Sequence, residues 1–380
     1  MTRYIERNLT VDRRRFLTLT ASGVTATALV GVGELRPAFA ADNTVRWVSP
    51  RGTIEVLDDY PYWVAKKYGY FGDIQTTLEP GPSDATATVK LVDQKQSDMG
   101  YPSPGVFSLG LEQGIPIVSV FHMGGSDVFS FAFRKGEKPK SLNDLEGKTV
   151  LLGSAGWQSI CDPMLFAAGV DIKKVKYVEA GWPAWGTALK AGKGDAALSW
   201  EGLRAQWKGQ GLDFDYILGK DFSKLPANSF IIRKADFEDP AKKPLYARYL
   251  QGWAAGLEFG QDNPRAATQI VMEQFPGLAS QMNPSVATES MMQLASVFAG
   301  RMDERKKWGY HLPSSWELFF ATAKKIGQIT ETIKFEDVCK NELIDQANSF
   351  DKAKVKADAD AFTLSPDYKG VDVKAIQATL

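Results

Sequence analysis

From residue 41 onward, short apolar runs of period-two character alternate with stretches in which apolar residues recur every three or four positions. Val45–Ser49 reads as a strand. Pro61–Tyr68 reads as a helix, with proline in its first turn, Asp59 near the cap and Gly69 as its stop. The spacing then predicts strands over Ile74–Leu78, Met99–Tyr101, Pro116–His122 and Phe129–Phe133, and helices over Ser83–Asp93 and Val106–Glu112. After the polar stretch Arg134–Lys140 the alternation restarts. Strands are predicted over Thr149–Gly153, Val175–Glu179, Ala196–Ser199, Tyr216–Leu218 and Ser229–Ile232. Helices are predicted over Gln158–Ala168, Pro183–Ala191 and Leu203–Gly209. From there the pattern is helical: Lys242–Gln261, Arg265–Gln274, Ser285–Phe298 and Ser314–Ile326, followed by a charged helix-compatible tail at Asp351–Ala361.

This order predicts an α/β fold: two doubly wound lobes with mostly parallel sheets, joined by a hinge, and a helical C-terminal part. Lobe one is expected over 41–132 plus 228–330, lobe two over 133–227, and a helical extension over 331–380. The crossovers are expected near Phe131–Arg134 and Ala227–Ile232. Strand carboxyl ends facing one another across such a hinge would line one cleft, and closure would bury a ligand there.

Residues 1–40 have a different pattern. Arg3, Arg7, Arg13, Arg14 and Arg15 form a positive region, and an apolar stretch diluted with Thr, Ser and Gly runs from Phe16 to Gly33. Ala38-Phe39-Ala40 offers a signal-peptidase site after Ala40. Arg13-Arg14-Arg15-Phe16-Leu17 fits a twin-arginine motif, although Asp12 replaces the usual Ser or Thr. The alternative is an ordinary signal peptide with incidental arginines. No cysteine follows the cut closely, so the expected mature chain is free and soluble in the periplasm.

The remaining chain of about 340 residues is long enough for two lobes with their own cores. It carries 39 basic and 42 acidic residues, a balance that points to neither nucleic acid nor an anionic membrane surface as partner. Cys161 and Cys339 are far apart in sequence, and two free buried thiols are expected. With His122 and His311 the only histidines, no zinc-type cluster or HExxH is present, and no GxSxG elbow, P-loop or dinucleotide fingerprint occurs. No metal, cofactor or catalytic set is therefore expected. His122, at a strand end, is expected to be structural.

The candidate chemistry is aromatic. Tyr60, Tyr62, Trp63, Tyr101, Trp157, Trp182, Trp185 and Trp200 fall at or near strand-to-helix junctions, where flat walls with a few polar groups make a small-molecule pocket. Trp63 and Trp185 lie within helices and fit a core equally well. Gly153-Ser154-Ala155-Gly156 opens a helix and offers free N–H groups. Glu201, next to Trp200, is a candidate anchor for an amine, and Arg51 for a carboxylate or sulfonate; each fits an ion pair as well.

Four segments carry a resemblance. Val64-Ala65-Lys66-Lys67-Tyr68-Gly69-Tyr70-Phe71 resembles a signature of periplasmic solute-binding proteins for nitrate, sulfonates, taurine and thiamine precursors. Val89 to Tyr101, ending Gln96-Ser97-Asp98-Met99-Gly100-Tyr101, is similar to that family's helix and strand start. Leu145-Glu146-Gly147-Lys148-Thr149-Val150 and Leu189-Lys190-Ala191-Gly192-Lys193-Gly194-Asp195-Ala196 resemble its lobe-two motifs, in the right order. The resemblance implies a type II-like, two-lobed periplasmic binding protein. It would be a monomer that hands a small organic ligand to an ABC permease with its ATPase. By position it selects Arg51, Tyr62, Ser83, Tyr101, Ser103, Ser154, Trp157, Trp182, Trp200 and Glu201 as ligand contacts. The solute is expected to be a sulfonate, or aromatic, or amine- or pyrimidine-like. Two alternatives stay open: a ligand sensor for a membrane receptor, and a pyrimidine-synthase-like enzyme of the same fold. That enzyme type is cytoplasmic and carries a cysteine-rich motif, which this sequence lacks.

Overall fold

The computed structural model describes residues 43–82 and 86–380. The export segment 1–40 and Ser83 lie outside the described residues. Among the described residues, ten strands form two five-stranded sheets. The first contains β1 (Thr44–Val48), β2 (Gln75–Glu79), β3 (Met99–Gly100), β4 (Ile117–His122) and β10 (Ser229–Arg233), in the order β2-β1-β3-β10-β4. The second contains β5 (Phe129–Arg134), β6 (Thr149–Leu152), β7 (Lys176–Glu179), β8 (Ala196–Trp200) and β9 (Phe214–Leu218), in the order β7-β6-β8-β5-β9.

The two sheets repeat one plan. In each, the first three strands are parallel, and the fourth position is taken by an antiparallel strand arriving from the other lobe. β5 enters lobe two between β8 and β9; β10 returns to lobe one between β3 and β4. The crossovers therefore run through 123–128 and 219–228. The first lies ahead of the position expected from sequence, while the expected lobe boundary between 227 and 228 falls inside the second. Phe129–Arg134 already pairs with β8 and β9, so a lobe boundary at 132 would cut through a strand of the second sheet. Likewise Ser229–Arg233 is already in register with β4.

Local rules explain the elements. β1 alternates: Val45 and Trp47 are buried while Thr44 and Arg46 are not. Helix α1 (Tyr60–Tyr68) starts on a proline, carries Lys66 and Lys67 in its last turn, and ends at Gly69 with φ of 70°. Helices α2 (Ala87–Asp93), α3 (Pro104–Glu112), α4 (Gln158–Ala167), α5 (Trp185–Lys190) and α6 (Leu203–Gly209) follow the predicted positions closely. The 20-residue helix Lys243–Asp262 packs along α1. They meet so closely that a Cβ on Gly256 would lie 2.1 Å from the Pro61 carbonyl oxygen.

The segment after Lys325 forms short helices, most of which strap lobe one; the last, Val373–Gln377, packs on the helix Pro284–Phe298 beside lobe-two residues such as Arg204 and Tyr216. Lys340 N donates to the Ser119 carbonyl oxygen at the edge of β4, and the hydroxyls of Tyr68 and Tyr70 donate to Asp358. Cys161 and Cys339 are both buried and unpaired. No helix among the described residues is long and apolar enough to cross a membrane.

Candidate functional site

The cleft lies between the lobes and encloses about 80 Å³, room for several waters or one compact solute. From lobe one it takes Pro50 and Arg51 after β1, Asp58, and the β3–α3 loop with Tyr101, Pro102 and Ser103. From the crossovers come Val128 and Asn228, and from the start of β5 Phe129. Lobe two contributes Trp157, Ile160, Leu198 and Trp200, and the helix Pro284–Phe298 adds Leu294 and Phe298.

The electrostatics centre on Arg51. Its guanidinium donates to Asp59 Oδ2 at 2.6 Å and sits 3.4 Å from Asp58 Oδ1. Burial works against its charge, but Asp59 and Asp58 outweigh that and hold it protonated more firmly than usual. Burial pushes both carboxyls above the ordinary range, with Arg51 opposing. One cation between two carboxylates leaves the cluster with a net negative charge when all three are ionised. Asp58 faces the cleft beside Trp200, whose side chain favours the ionised carboxyl, a polar contact between the lobes. Asn228 supplies a second acceptor. Its amide nitrogen donates to the Tyr101 carbonyl, while its buried Oδ1 has no partner in the protein. Ser103 Oγ accepts from Val106 N at the start of α3, which leaves its own proton free to donate.

The walls are aromatic. Trp157 meets Trp200 edge-on, with centroids 5.8 Å apart and planes at 89°. Trp182 stacks on Trp200 at 5.8 Å and 11°. It remains 41% exposed and is not itself part of the cleft lining. Trp185 donates to the Leu198 carbonyl at 2.8 Å and is core.

Of the ten residues selected from sequence, Arg51, Tyr101, Ser103, Trp157 and Trp200 are brought together in the cleft. Four others are described and do not line it. Tyr62 is fully buried in lobe one, donates to the Thr76 carbonyl at 3.2 Å and packs on Trp63, Phe71 and Trp253. Ser154 sits in the turn before Trp157, and Trp182 backs Trp200 from outside. Glu201 is only 1% exposed and pairs with Arg204 at 3.0 Å. It lies past the end of β8, in the turn that leads into α6, and does not line the cleft. Asp58, Phe129, Asn228, Leu294 and Phe298 were not singled out. Two consecutive acids between Arg51 and Tyr60 were the available signal for Asp58; the apolar pair on the late helix gave none.

The histidines form a separate cluster. Ser119 Oγ and His311 Nε2 are 2.6 Å apart, and His311 Nδ1 is 3.0 Å from Asn341 Oδ1. His122 stacks on His311 at 5.8 Å. The connectivity matches a nucleophile–base–orienter triad, but Ser119, His122 and His311 are fully buried and none lines the cleft. Burial pulls His311 down to about 3, with Arg305 adding to it against the Asn341 hydrogen bond. An imidazole so reluctant to take a proton is a poor general base near neutrality.

A match to the family described as NMT1/THI5 like runs over residues 58–267, more than half of the chain. The chain belongs to that family. The match begins at Asp58 and takes in most of the cleft lining. It stops short of Leu294 and Phe298. The fold is also that of solved binding components of ABC import systems. The periplasmic nitrate-binding protein from Synechocystis PCC 6803 superposes with a TM-score of 0.60 at 12% identity, covering 85% of this chain and 99% of that one. The alkanesulfonate-binding protein from Xanthomonas axonopodis pv. citri, bound to MOPS, gives 0.58 at 11% identity, covering 81% and 98%. A Haemophilus influenzae protein named for thiamine biosynthesis is 27% identical over 137 residues, 36% of this chain. That stretch spans 43% of the relative's length, less than half. The two-lobed periplasmic binding-protein architecture of this family is thus the architecture of the chain.

Proposed function

We propose that this chain is the solute-binding component of an ABC importer, exported to the periplasm through its first 40 residues, by the twin-arginine route. It captures a small, flat solute that donates N–H groups, such as an amine or an amino-substituted heteroaromatic ring, and presents it to a permease. The lobes divide at the crossovers, with 43–122 and 229 onward in lobe one and 129–218 in lobe two.

The observation that carries the ligand class is the neutralisation of Arg51 by Asp58 and Asp59. A sulfonate or nitrate needs an uncommitted cation or a set of free N–H donors. The cleft offers two acceptors, the Asp58 carboxylate and the unpartnered Oδ1 of Asn228, while its free donors include Arg51 Nε, on a guanidinium already paired with two carboxylates, and the Ser103 hydroxyl. Indole walls suit a flat or cationic solute. The reading is non-enzymatic, and the sealed, weakly basic His311 supports it.

The test is a thermal-shift screen of the mature chain against sulfonates, nitrate, aromatic acids, aminopyrimidines and alkylamines. A specific ligand at one hundred times its Kd stabilises by about 2.7 kcal/mol, a shift of several degrees. An N–H-donating compound is expected to raise the midpoint while sulfonates do not. A shift with sulfonates alone would overturn the assignment of ligand class. No shift with any compound, and no carried solute by native mass spectrometry, would overturn the binding-protein reading.

A further inference from the structure

Helix α6 begins immediately beyond Trp200-Glu201, and its N-cap position is Gly202, at φ of 91°. Glycine tolerates that conformation but brings no side chain to cap the first amides of the helix. The cap comes from elsewhere in the chain. Gln293, on the Pro284–Phe298 helix, places Oε1 3.2 Å from both Gly202 N and Ala205 N and accepts from the two. One turn earlier, Ser290 Oγ donates to the Gly202 carbonyl at 2.8 Å and accepts from Gln206 Nε2 at 3.2 Å. Gln293 and Ser290 are fully buried, and every bond in this set joins the helix to lobe two. Leu294 fills the space that a Gly202 side chain would need, 2.7 Å from an ideal Cβ.

The Pro284–Phe298 helix packs on α6 of lobe two and, on its other side, on the Pro264–Gln274 and Lys243–Asp262 helices, which pack on α1 of lobe one. The same helix supplies Leu294 and Phe298 to the cleft. It is thus a non-covalent link between the lobes that can open, beside the packing of α3 and of Pro313–Lys325 on α4 and the two covalent crossovers.

We propose that Gln293 and Ser290 form a closed-state latch. They cap α6 across the lobe boundary, hold Trp200 against the Asp58 side of the cleft, and bias the solute-free chain toward closure. Gln293 is a positioning residue: it acts on the cleft through Gly202 and α6. Parting the lobes strips α6 of its cap, whereas the closed form satisfies both amides. The purpose of the latch rests on the binding-protein reading, but its operation is tested without solute. A failed solute screen therefore leaves this test standing.

The experiment compares the parent chain with Gln293→Leu, with Ser290→Ala, and with a Glu289→Gln/Gln293→Glu double variant. The double variant keeps an acceptor at 293 and removes the neighbouring like charge; Glu289 is the present partner of Gln293 Nε2. Two readouts are taken on solute-free protein: amide exchange at Gly202 and Ala205, and the radius of gyration from small-angle scattering. Losing a helix cap shifts the closed-to-open ratio by about tenfold. Gln293→Leu is expected to speed exchange at the two amides by about that factor and to raise the radius of gyration. Exchange at Leu198 in β8 stays unchanged, Ser290→Ala acts in the same direction more weakly, and the double variant restores both readouts. Parent-like exchange and radius in Gln293→Leu would overturn the latch. So would faster exchange spread through both lobes with no change in radius, or failure of the double variant to restore. If Gln293→Leu does not fold, Ser290→Ala decides by the same two readouts.

Discussion

Two buried polar clusters in lobe one use similar parts to opposite ends. Around His311, the Ser119 hydroxyl and the Asn341 amide take both ring nitrogens, and the C-terminal strap seals the group. Around Arg51, two carboxylates share one guanidinium, and Asp58 still faces an aromatic cavity. The first cluster has the connectivity of a catalytic triad, yet no substrate reaches it. The second has no catalytic pattern, yet it presents the Asp58 carboxyl where a solute would sit, with Arg51 favouring its charged form against burial. Hydrogen-bond geometry alone therefore does not mark a site in this molecule. What marks it is polar capacity that the fold leaves unmet beside a cavity.

The largest expected effect breaks the comparison at the cleft wall. Trp200→Ala removes the indole that closes the cleft and reaches Asp58. Truncating such an aromatic anchor costs about 2–4 kcal/mol of binding, a hundredfold or so in Kd by calorimetry. Trp200 is only half-buried, so the melting temperature should move little. A fall in stability without a fall in affinity would return Trp200 to the core.

Acid sensitivity sharpens the other side. His311 takes its proton near pH 3 when folded and near 6.5 when unfolded. Between those values the unfolded chain binds more protons, so stability falls as pH drops through the window. From pH 7 to pH 4 the loss is on the order of 3 kcal/mol. Asp127, in the first crossover, works in the opposite direction. Burial raises its folded value to about 7, against hydrogen bonds from Ser223 and the Phe129 amide. Its folded form holds the extra proton, and stability rises as pH falls from 7 toward 4. The difference between parent and His311→Gln in urea unfolding at the two pH values isolates the histidine. The variant should lose less stability on acidification than the parent. Equal losses would mean that His311 is not the sealed neutral base described above.

Asp58→Asn tests the unmet charge. The amide keeps the size of the carboxyl, so the cleft should hold its shape. An N–H-donating or cationic solute should bind about 10- to 100-fold more weakly, the usual range for a lost charge-assisted hydrogen bond. Repulsion of a sulfonate should fall in the same variant. A variant that binds its solute as the parent does would move the polar anchor elsewhere in the cleft, with Asn228 next in line.

Much of the fold was legible because β-strand alternation and proline-started helices are local signals. All ten strands lie within two residues of their predicted bounds. The first crossover was placed too late because Phe129–Arg134 is a fully paired strand, and nothing in a run of apolar residues says which sheet it joins; the boundary expected at 227–228 falls inside the second crossover. The cleft was half legible. Junction aromatics pointed to Tyr101, Trp157 and Trp200, but adjacency misled at Glu201, whose buried carboxylate pairs with Arg204 and does not line the cleft. Leu294 and Phe298 were invisible because an apolar residue on a helix reads the same whether it faces core or cleft.

Tyr62 gives the smallest and cleanest test of the boundary between core and site. Its ring is enclosed by Trp63, Phe71 and Trp253, and its hydroxyl makes one bond, at 3.2 Å, to the Thr76 carbonyl. Tyr62→Phe keeps the packing and deletes that bond, for a cost of about 1 kcal/mol in urea unfolding. Because the hydroxyl is satisfied inside lobe one, solute affinity should stay within twofold of the parent. A larger change in affinity would place Tyr62 with the cleft residues. The distinction between saturated and unmet polar groups would then no longer separate structure from function here.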